Sequence, residues 1–317
     1  MRIGSALIGV GISALVGCGG GNSGGDDDVT GDASDPPPSR GFRIVSPDVN
    51  LMPGEEATYC YFFHTPNTEP LAIKHWKSDM TPGSHHMIMF MTTTDAGPVD
   101  TVSKGDCGFG IAGGGTIWTY AAQQPQAEVA LPLDDGAGKP LAQDIPANAP
   151  AFFQMHYLNA SDQPMIVHVQ LDAEALEAGV QYTKTAAFVT YNSQLQIPAN
   201  AVNFSQSATC NVPATAKFWL MSTHAHKQAV KTEVKDGGST MFTSTDWEHP
   251  GAASFMEPST FYKFASNKIT YSCTYTNPTN NVIVAGPSAA TNEMCMASGY
   301  YFPATAPLFC LDSQGPF

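Results

Sequence analysis

The sequence is short of positive charge, of long apolar runs and of closely spaced cysteine pairs. Its 317 residues carry 14 Lys and Arg against 28 Asp and Glu, which gives a formal net charge of −14. Such a chain repels phosphate groups, so no nucleic acid partner is expected. The apolar stretch from Ile3 to Val16 is too short to cross a bilayer as a helix. No Cys-x-x-Cys pair is present, which disfavours a cysteine-based zinc site.

The N-terminus instead predicts export and a lipid anchor. Residues 1–18 form a signal peptide that closes in LVGC, which resembles the bacterial lipobox, where Cys18 is lipid-modified. An ordinary secretion signal with an incidental Cys18 is the alternative. Residues 19–41 are rich in Gly, Asp and Pro and predict a disordered tether. We expect an exported monomer, lipid-anchored at the bacterial cell envelope, and at the outer membrane because Gly19 and Gly20 lack an inner-membrane retention Asp.

Six cysteines remain beyond the predicted anchor. They are Cys60, Cys107, Cys210, Cys273, Cys295 and Cys310. An even number in an exported chain predicts three disulfides. Six cysteines allow fifteen connectivities, and their spacing alone does not choose among these.

Short runs of β-branched and aromatic residues between Gly, Pro, Asn and Asp predict an all-β fold of sandwiches or jelly rolls. Examples are ATYCYFF, HHMIMFM, AFFQMHYL, MIVHVQL, KFWLMSTHAH and KITYSCTY. The single helical candidate is Asp172 to Gly179. It lies where two sandwiches would join, so we predict domains at residues 42–179 and 180–317. No internal repeat is evident.

Five of the nine histidines lie in three contexts that are typical of metal ligands. His85 and His86 are adjacent, and on a strand they could share an ion only if a strand end or bulge re-aims one ring. His156 lies in QMHY. His224 and His226 are two apart in THAH, so on a strand both rings project from one face. A lone histidine is more often an ordinary polar residue, but the three contexts together favour copper or zinc.

Met294, in NEMCM, is a candidate ligand of another kind. A thioether is a soft ligand that selects Cu(I), whereas zinc gains little from it. Packing in the core is the alternative role for this side chain. A site of two histidines and one methionine would suit copper that cycles between two oxidation states.

Taken in order, the motifs HHMIMF, QMHY, THAH, WEHP and NEMCM resemble those of the copper type II, ascorbate-dependent monooxygenases, the peptidylglycine α-hydroxylating and dopamine β-hydroxylating enzymes. The resemblance runs from about residue 42 to the C-terminus. It implies two tandem jelly-roll-like β-sandwich domains, each with one copper facing a solvent-filled interdomain cleft.

The resemblance also assigns the ligands. It implies an electron-transfer copper held by His85, His86 and His156, and a catalytic copper held by His224, His226 and Met294. Ascorbate or another one-electron donor would reduce both coppers, and O₂ would hydroxylate a C–H bond of a small-molecule substrate. The implied disulfides are Cys60–Cys107, Cys210–Cys310 and Cys273–Cys295.

Departures from the family pattern bear on the substrate. In the peptide-hydroxylating branch an arginine, an asparagine and a tyrosine stand where this chain has Ser222, Met296 and Ser298, and Ala225 replaces a threonine between the paired histidines. We therefore do not expect a glycine-extended peptide, and the substrate would be small, apolar or neutral. The alternative function is a copper-binding surface lipoprotein for storage, delivery or redox sensing without hydroxylase activity.

The remaining histidines match no family ligand. We expect them to be surface or local hydrogen-bonding residues: His64, His75, His168 and His249.

Overall fold

Strands build the computed structural model: some alternate buried and more exposed side chains, as Lys268–Tyr275 does, and others are buried on both faces, as Cys295–Phe302 is. The structure describes residues 36–105, 107–108 and 115–316. The predicted signal peptide, Cys18 and most of the predicted tether lie outside these residues. Arg40 and Gly41, the last two residues of the predicted tether, pack on the fold, because the Arg40 Nη2 lies 2.9 Å from a Glu69 carboxylate oxygen and β1 begins at Gly41.

The first half of the chain forms two larger sheets and a two-stranded ribbon. Its strands are β1 (Gly41–Val45), β2 (Val49–Leu51), β3 (Glu56–His64), β4 (Leu71–Met80), β5 (Ser84–Met91), β6 (Thr101–Lys104), β7 (Ile117–Ala122), β8 (Gln126–Ala130), β9 (Leu141–Ile145), β10 (Pro150–Leu158), β11 (Met165–Val167) and β12 (Val169–Ala175). One sheet has the order β1-β12-β4-β9-β13, in which β8 also pairs with β4 and β13 is the two-residue strand Thr183–Lys184 from the second half. Another sheet has the order β6-β3-β10-β5-β7, and β2 pairs with β11.

The second half repeats this plan. Its strands are β13 (Thr183–Lys184), β14 (Ala186–Tyr191), β15 (Gln196–Ile197), β16 (Phe204–Asn211), β17 (Lys217–Ala225), β18 (Ala229–Asp236), β19 (Ser239–Ser244), β20 (Ala253–Ser254), β21 (Lys268–Tyr275), β22 (Ile283–Val284), β23 (Cys295–Phe302) and β24 (Leu308–Leu311). The sheets have the orders β20-β17-β23-β14-β24 and β16-β21-β18-β19, and β15 pairs with β22.

The two halves correspond strand by strand. The neighbours β3-β10-β5-β7 match β16-β21-β18-β19, β1-β12-β4-β8 match β14-β23-β17-β20, and the ribbon β2-β11 matches β15-β22. The chain therefore contains a structural repeat, which the sequence analysis did not predict.

A buried asparagine turn marks the same place in each half. The Asn159 Nδ2 donates to the backbone oxygens of Leu51 (3.1 Å) and Gln163 (2.8 Å), and the Asn159 Oδ1 accepts the Ser161 N–H at 3.0 Å. In the second half, the Asn277 Nδ2 donates to the oxygens of Pro198 (2.9 Å) and Asn281 (2.8 Å), and the Asn277 Oδ1 accepts the Thr279 N–H at 3.0 Å. Both turns share the sequence spacing Tyr-x-Asn-x-Ser/Thr-x-Gln/Asn.

The predicted helix at Asp172 to Gly179 is wrong. Residues up to Ala175 belong to β12, and the described residues contain no helix. Leu171, Ala173 and Ala175 are buried on one side, and Gln170 and Glu174 are half-buried on the other, which is the two-residue period of a strand. Asp172, on the second side, is also buried where it pairs with Arg43.

Three disulfides reinforce the strands. They are Cys60–Cys107, Cys210–Cys310 and Cys273–Cys295, the pairings that the resemblance implies. The last joins β21 to the first residue of β23, directly after Met294.

Buried side chains from both halves share one apolar cluster. Trp219, Met296 and Tyr300 belong to the cluster that contains the first half's core, and a second cluster fills the interior of the second half. Gly179 lies in the exposed turn between β12 and β13, and the domain boundary placed there stays a prediction. Within the described ranges, no helix is long and apolar enough to cross a membrane.

Candidate metal centre

A β-bulge sets the geometry of the adjacent histidines. Along the β5–β10 pairing, Ser84 lies opposite Tyr157 and His86 lies opposite His156, so His85 is the extra residue. A bulge turns successive side chains away from their usual alternation. The Nδ1 atoms of His85 and His86 are consequently 2.9 Å apart, and both side chains are buried. Two adjacent histidines on a strand need such a bulge if both rings are to bind one ion.

His156 completes a three-histidine group from the neighbouring strand. One ligand nitrogen from each of His85, His86 and His156 lies within 4.8 Å of the others. The His156 Nε2 is 2.9 Å from the Glu56 Oε1, and because a carboxylate accepts, this nitrogen carries the proton. The carboxylate orients the ring and leaves Nδ1 as its unprotonated nitrogen.

The pair in THAH occupies the end of β17 and the turn after it. The His224 Nδ1 is 2.5 Å from the Gln123 Oε1, and the His226 Nδ1 is 3.1 Å from the Asn292 carbonyl oxygen. Both partners accept, so both Nδ1 atoms carry protons and both Nε2 atoms present lone pairs. The His226 Nε2 is buried without a hydrogen-bond partner. A buried lone pair with no donor is costly unless something such as a metal occupies it.

The two histidine sets face each other directly. The ring centroid of His224 lies 5.3 Å from that of His86 and 5.9 Å from that of His85, and the centroids of His85 and His226 are 6.4 Å apart. The resemblance implies a solvent-filled cleft between the sets, whereas here the rings are in near contact. Trp247, from the second half, closes the arrangement by stacking on His85 at 5.3 Å.

Burial lowers the basicity of these imidazoles. Desolvation, followed by the neighbouring histidines, lowers the pKa of His85 to about 3. The pKa values of His86 and His224 are held well below the ordinary value for the same reasons. Burial lowers the pKa of His226 to about 4, against hydrogen bonds that raise it. Neutral imidazole is the form that binds a metal, so the site keeps its donors available at neutral pH.

The donor set fits copper. The Nδ1 atoms of His85 and His86 share a hydrogen bond of 2.9 Å. Nitrogen ligands at about 2.1 Å from one ion stand about 3.0 Å apart when they subtend a right angle, so the two atoms are close to the spacing that a shared ion needs. His85 Nε2 and His226 Nε2 are buried nitrogens without hydrogen-bond partners. Met294 adds a half-buried thioether, which lines the same cavity as His224. Imidazole with thioether suits copper better than zinc.

A buried carboxylate holds the loop that carries Met294. Glu293 accepts the backbone N–H groups of His226 (2.9 Å), Gln228 (2.7 Å) and Met294 (3.3 Å). Burial raises the pKa of Glu293 to about 7, against these hydrogen bonds, which lower it. On the other side of the loop, the Tyr275 hydroxyl donates to the Met294 carbonyl at 2.8 Å. The positions of His226 and Met294 are therefore fixed by one set of bonds.

Sequence reasoning missed four residues of this centre: Glu56, Gln123, Trp247 and Glu293. Glu293 precedes Met294 directly, and Trp247 lies in the WEHP segment, so both were within quoted motifs. Carboxylates that hydrogen-bond metal-ligating histidines are common, yet Glu56 is 100 residues from its partner His156. Only the pairing of strands shows which acidic residue reaches the ring.

Each of the other histidines has an acidic neighbour, and His249 also lies close enough to His85 to contribute to its lowered pKa. The nitrogen-to-oxygen distances are His64–Asp95 2.7 Å, His75–Glu128 2.8 Å, His168–Asp48 3.0 Å and His249–Asp246 4.0 Å.

Residues 177–316 match the family model described as copper type II ascorbate-dependent monooxygenase, C-terminal domain. No curated protein sequence matches the chain. Among solved structures, the major capsid protein P2 from bacteriophage PM2 aligns over 82% of this chain and 97% of its own, with 7% identity and a TM-score of 0.35. The PBSX exported protein XepA aligns over 83% and 88%, with 12% identity and a TM-score of 0.21. At these TM-scores neither likeness carries an argument.

Proposed function

We propose that this chain, which belongs to the copper type II, ascorbate-dependent monooxygenase family through residues 177–316, hydroxylates a C–H bond of an organic substrate. O₂ supplies the oxygen. One C–H bond breaks and one C–OH bond forms. The second oxygen atom takes up two electrons and two protons and leaves as water. A one-electron donor such as ascorbate supplies the electrons.

The observation that carries the proposal is that His86 and His156 of one set, and His224 and Met294 of the other, line a single cavity. We propose that His85, His86 and His156 hold one copper, and that His224, His226 and Met294 hold the other. Bound copper would supply one-electron redox chemistry and a binding position for O₂. The short distances between rings of the two sets would favour electron transfer from the first to the second.

The rest of the chain positions these donors. Glu56 fixes the proton of His156 on Nε2, and Gln123 fixes that of His224 on Nδ1. The Ala289 N–H also donates to the Glu56 Oε1 at 2.9 Å, so one carboxylate joins the first half's site to the loop before Met294. The burial of His85, His86, His156 and His226 limits the contact of their rings with water.

We propose that the chain is exported and anchored through Cys18. The three disulfides support export because such bonds persist in oxidising compartments. A Cys18→Ser variant should lose incorporation of labelled palmitate and move from the membrane fraction to the soluble one. An unchanged distribution would contradict the anchor.

We further propose that each half is a jelly-roll-like sandwich domain with the boundary at residues 179 and 180. The repeated strand order supports it. Limited proteolysis of the full chain should cut first in the exposed turn from residue 177 to 181. A first cut inside either half would count against this boundary.

The test of function measures metal content and oxygen incorporation together. The copper-loaded full chain should bind two coppers and transfer ¹⁸O from ¹⁸O₂ to a panel of neutral benzylic compounds, with ascorbate present. Met294→Ala should abolish product and retain the copper of the three-histidine set. His168→Ala, an exposed histidine bound to Asp48, is the control and should change neither readout.

Two coppers without ¹⁸O product across the panel would favour the copper-binding lipoprotein instead. Full product formation by Met294→Ala would remove the role proposed for the thioether. X-ray absorption should resolve one sulfur-ligated copper and one without sulfur.

A further inference from the structure

The candidate metal centre opens into one large cavity of about 880 Å³. His86, His156, His224 and Met294 line it, so a molecule inside would lie beside donors of both sets. Cavities of this volume hold drug-sized ligands. The character of its walls therefore bears on what the centre acts upon.

Apolar and aromatic side chains make up most of the remaining wall. Phe90, Trp118, Met296 and Tyr300 are between 1% and 9% exposed, which leaves a rigid and largely apolar surface. The Tyr300 hydroxyl donates to the Thr119 carbonyl at 3.2 Å, and the ring stacks on Trp219 at 5.1 Å. The polar end of Tyr300 is thus engaged with the protein rather than offered to a ligand.

No cation faces the cavity among the lining residues that the structure describes, since none is Lys or Arg. The only carboxylate in that lining is Glu128, whose side chain is 66% exposed and lies 2.8 Å from His75. A buried charge without a partner is strongly disfavoured, because it loses its hydration. The net charge of −14 adds a long-range repulsion for anions.

The neutral polar groups near the metal donors are largely engaged as well. The Ser222 hydroxyl donates to the Gly251 carbonyl at 2.6 Å. Gln123 is bound to His224, and the Gln154 amide donates to the Cys107 carbonyl. Little remains to solvate an ionic head group.

From this wall we infer that the substrate is an uncharged molecule with a largely apolar body, such as an alkyl-substituted aromatic, and that the cavity rejects carboxylates and ammonium groups. The inference concerns binding, and it rests on the proposed function only for the statement that the bound molecule is hydroxylated. Van der Waals contact with the aromatic wall supplies the affinity, and the absence of a charged partner supplies the selectivity.

The experiment compares matched probes that differ in charge alone. 4-Ethylbenzamide, 4-ethylbenzoate and 4-ethylbenzylamine, with their naphthyl counterparts, are titrated into the full chain by calorimetry. Dioxygen is excluded to prevent turnover, and the titration is done with and without added copper. The neutral probes should bind at least about tenfold more tightly than either charged partner, which is about 1.4 kcal/mol. Equal or tighter binding of a charged probe, or no binding of any neutral probe, would overturn the inference.

A variant that adds the missing cation sharpens the test. Ser222→Arg should gain affinity for 4-ethylbenzoate of at least about tenfold, because it places a guanidinium in the wall. Ser222→Met fills similar space without charge and should gain none. Ser239→Arg adds the same charge at an exposed position on β19 and should also gain none. Equal gains in all three variants would show that the cavity does not discriminate by charge.

The two proposals fail separately. Selective binding of neutral probes without any ¹⁸O product would leave the binding inference intact and contradict the monooxygenase function. Hydroxylation of a charged probe in preference to its neutral partner would support the monooxygenase function and contradict the binding inference.

Discussion

The two halves of the chain have the same strand order and place their candidate ligands differently. The correspondence extends to single residues. In the first half Ser84 and His86 lie opposite Tyr157 and His156, with His85 as the bulged residue. In the second half Ala229 and Lys231 lie opposite Tyr275 and Thr274, with Val230 as the bulged residue. The bulge is therefore a feature of the repeated scaffold and is not specific to the metal centre.

What differs is the surroundings of the bulge. Val230 is 39% exposed, and the Thr274 hydroxyl shares a hydrogen bond of 2.6 Å with Ser205 on an ordinary sheet surface. The equivalent histidines of the first half are buried against the second half, beside Trp247 and His224. The second half draws its candidate ligands from another place, where β17 ends and β23 begins. The repeated backbone therefore supplies the bulge that turns adjacent side chains, while contact between the halves determines which of these side chains are buried.

The largest expected effect comes from moving the three-histidine group to the second half. Val230→His, Lys231→His and Thr274→His together should bind one additional zinc ion per chain with a Kd near 10 μM, about 7 kcal/mol of binding free energy, because the bulge already aims adjacent side chains. Equilibrium dialysis with metal analysis would measure it. The double variant that keeps Thr274 is the control and should bind more weakly, and no extra ion in the triple variant would contradict the equivalence of the bulges.

The second prediction concerns Glu293 and Glu56, the carboxylates that support the two sites. Glu293→Ala should lower the free energy of unfolding by roughly 3–5 kcal/mol, since three backbone N–H groups lose a buried acceptor, whereas Glu56→Ala should cost about 1–2 kcal/mol at a more exposed position. Urea denaturation would measure both. Glu293→Gln retains an oxygen acceptor and should recover part of the loss. Equal losses for Glu293→Ala and Glu56→Ala would contradict the difference drawn between the sites.

Much of the centre was predictable because its ligands lie in short local motifs. HH, QMHY, THAH and EMC each place a donor at a fixed offset. The even number of cysteines predicted three disulfides, and the resemblance gave their pairings. The all-β class followed from alternation and turn residues. These features depend on a few neighbouring residues, which a sequence shows directly.

The rest depends on strand register and on contact between distant segments. The bulge at His85 is defined by its partner strand about seventy residues away, which the pattern SHHMIMF does not reveal. The approach of His224 to His86 depends on how the halves pack, and the helix expected at Asp172 gave way to the pairing of β12 with β1 and β4. Tertiary pairing overrode local propensity in that segment.

A smaller effect tests whether the repeat extends to energetics. Asn159→Ala and Asn277→Ala should each cost about 2 kcal/mol of stability, because each removes a buried side chain that closes the same turn with the same bonds. Thermal and urea unfolding would measure both. Asp162→Ala, at an exposed position in the first turn, should change stability by less than about 0.5 kcal/mol. A difference between the two asparagine variants of more than about 1 kcal/mol would show that the turns are equivalent in geometry only.

The smallest effect concerns the contact that distinguishes the two bulges. Trp247 stacks on His85 at 5.3 Å, whereas Val230 has no such cover, so the indole restrains one ligand ring of the first site. An aromatic pair contributes about 0.5–1.5 kcal/mol, so Trp247→Ala should weaken metal binding at the three-histidine set by no more than about tenfold. Competition against a chelator of known affinity would measure this, and Trp247→Phe should restore most of the loss by keeping a ring over the imidazole. Affinity at the set containing Met294 should not change. If Trp247→Ala instead weakened both sets equally, the indole would act by holding the two halves together, and the burial of the first half's histidines would depend on that docking rather than on a contact with one ring.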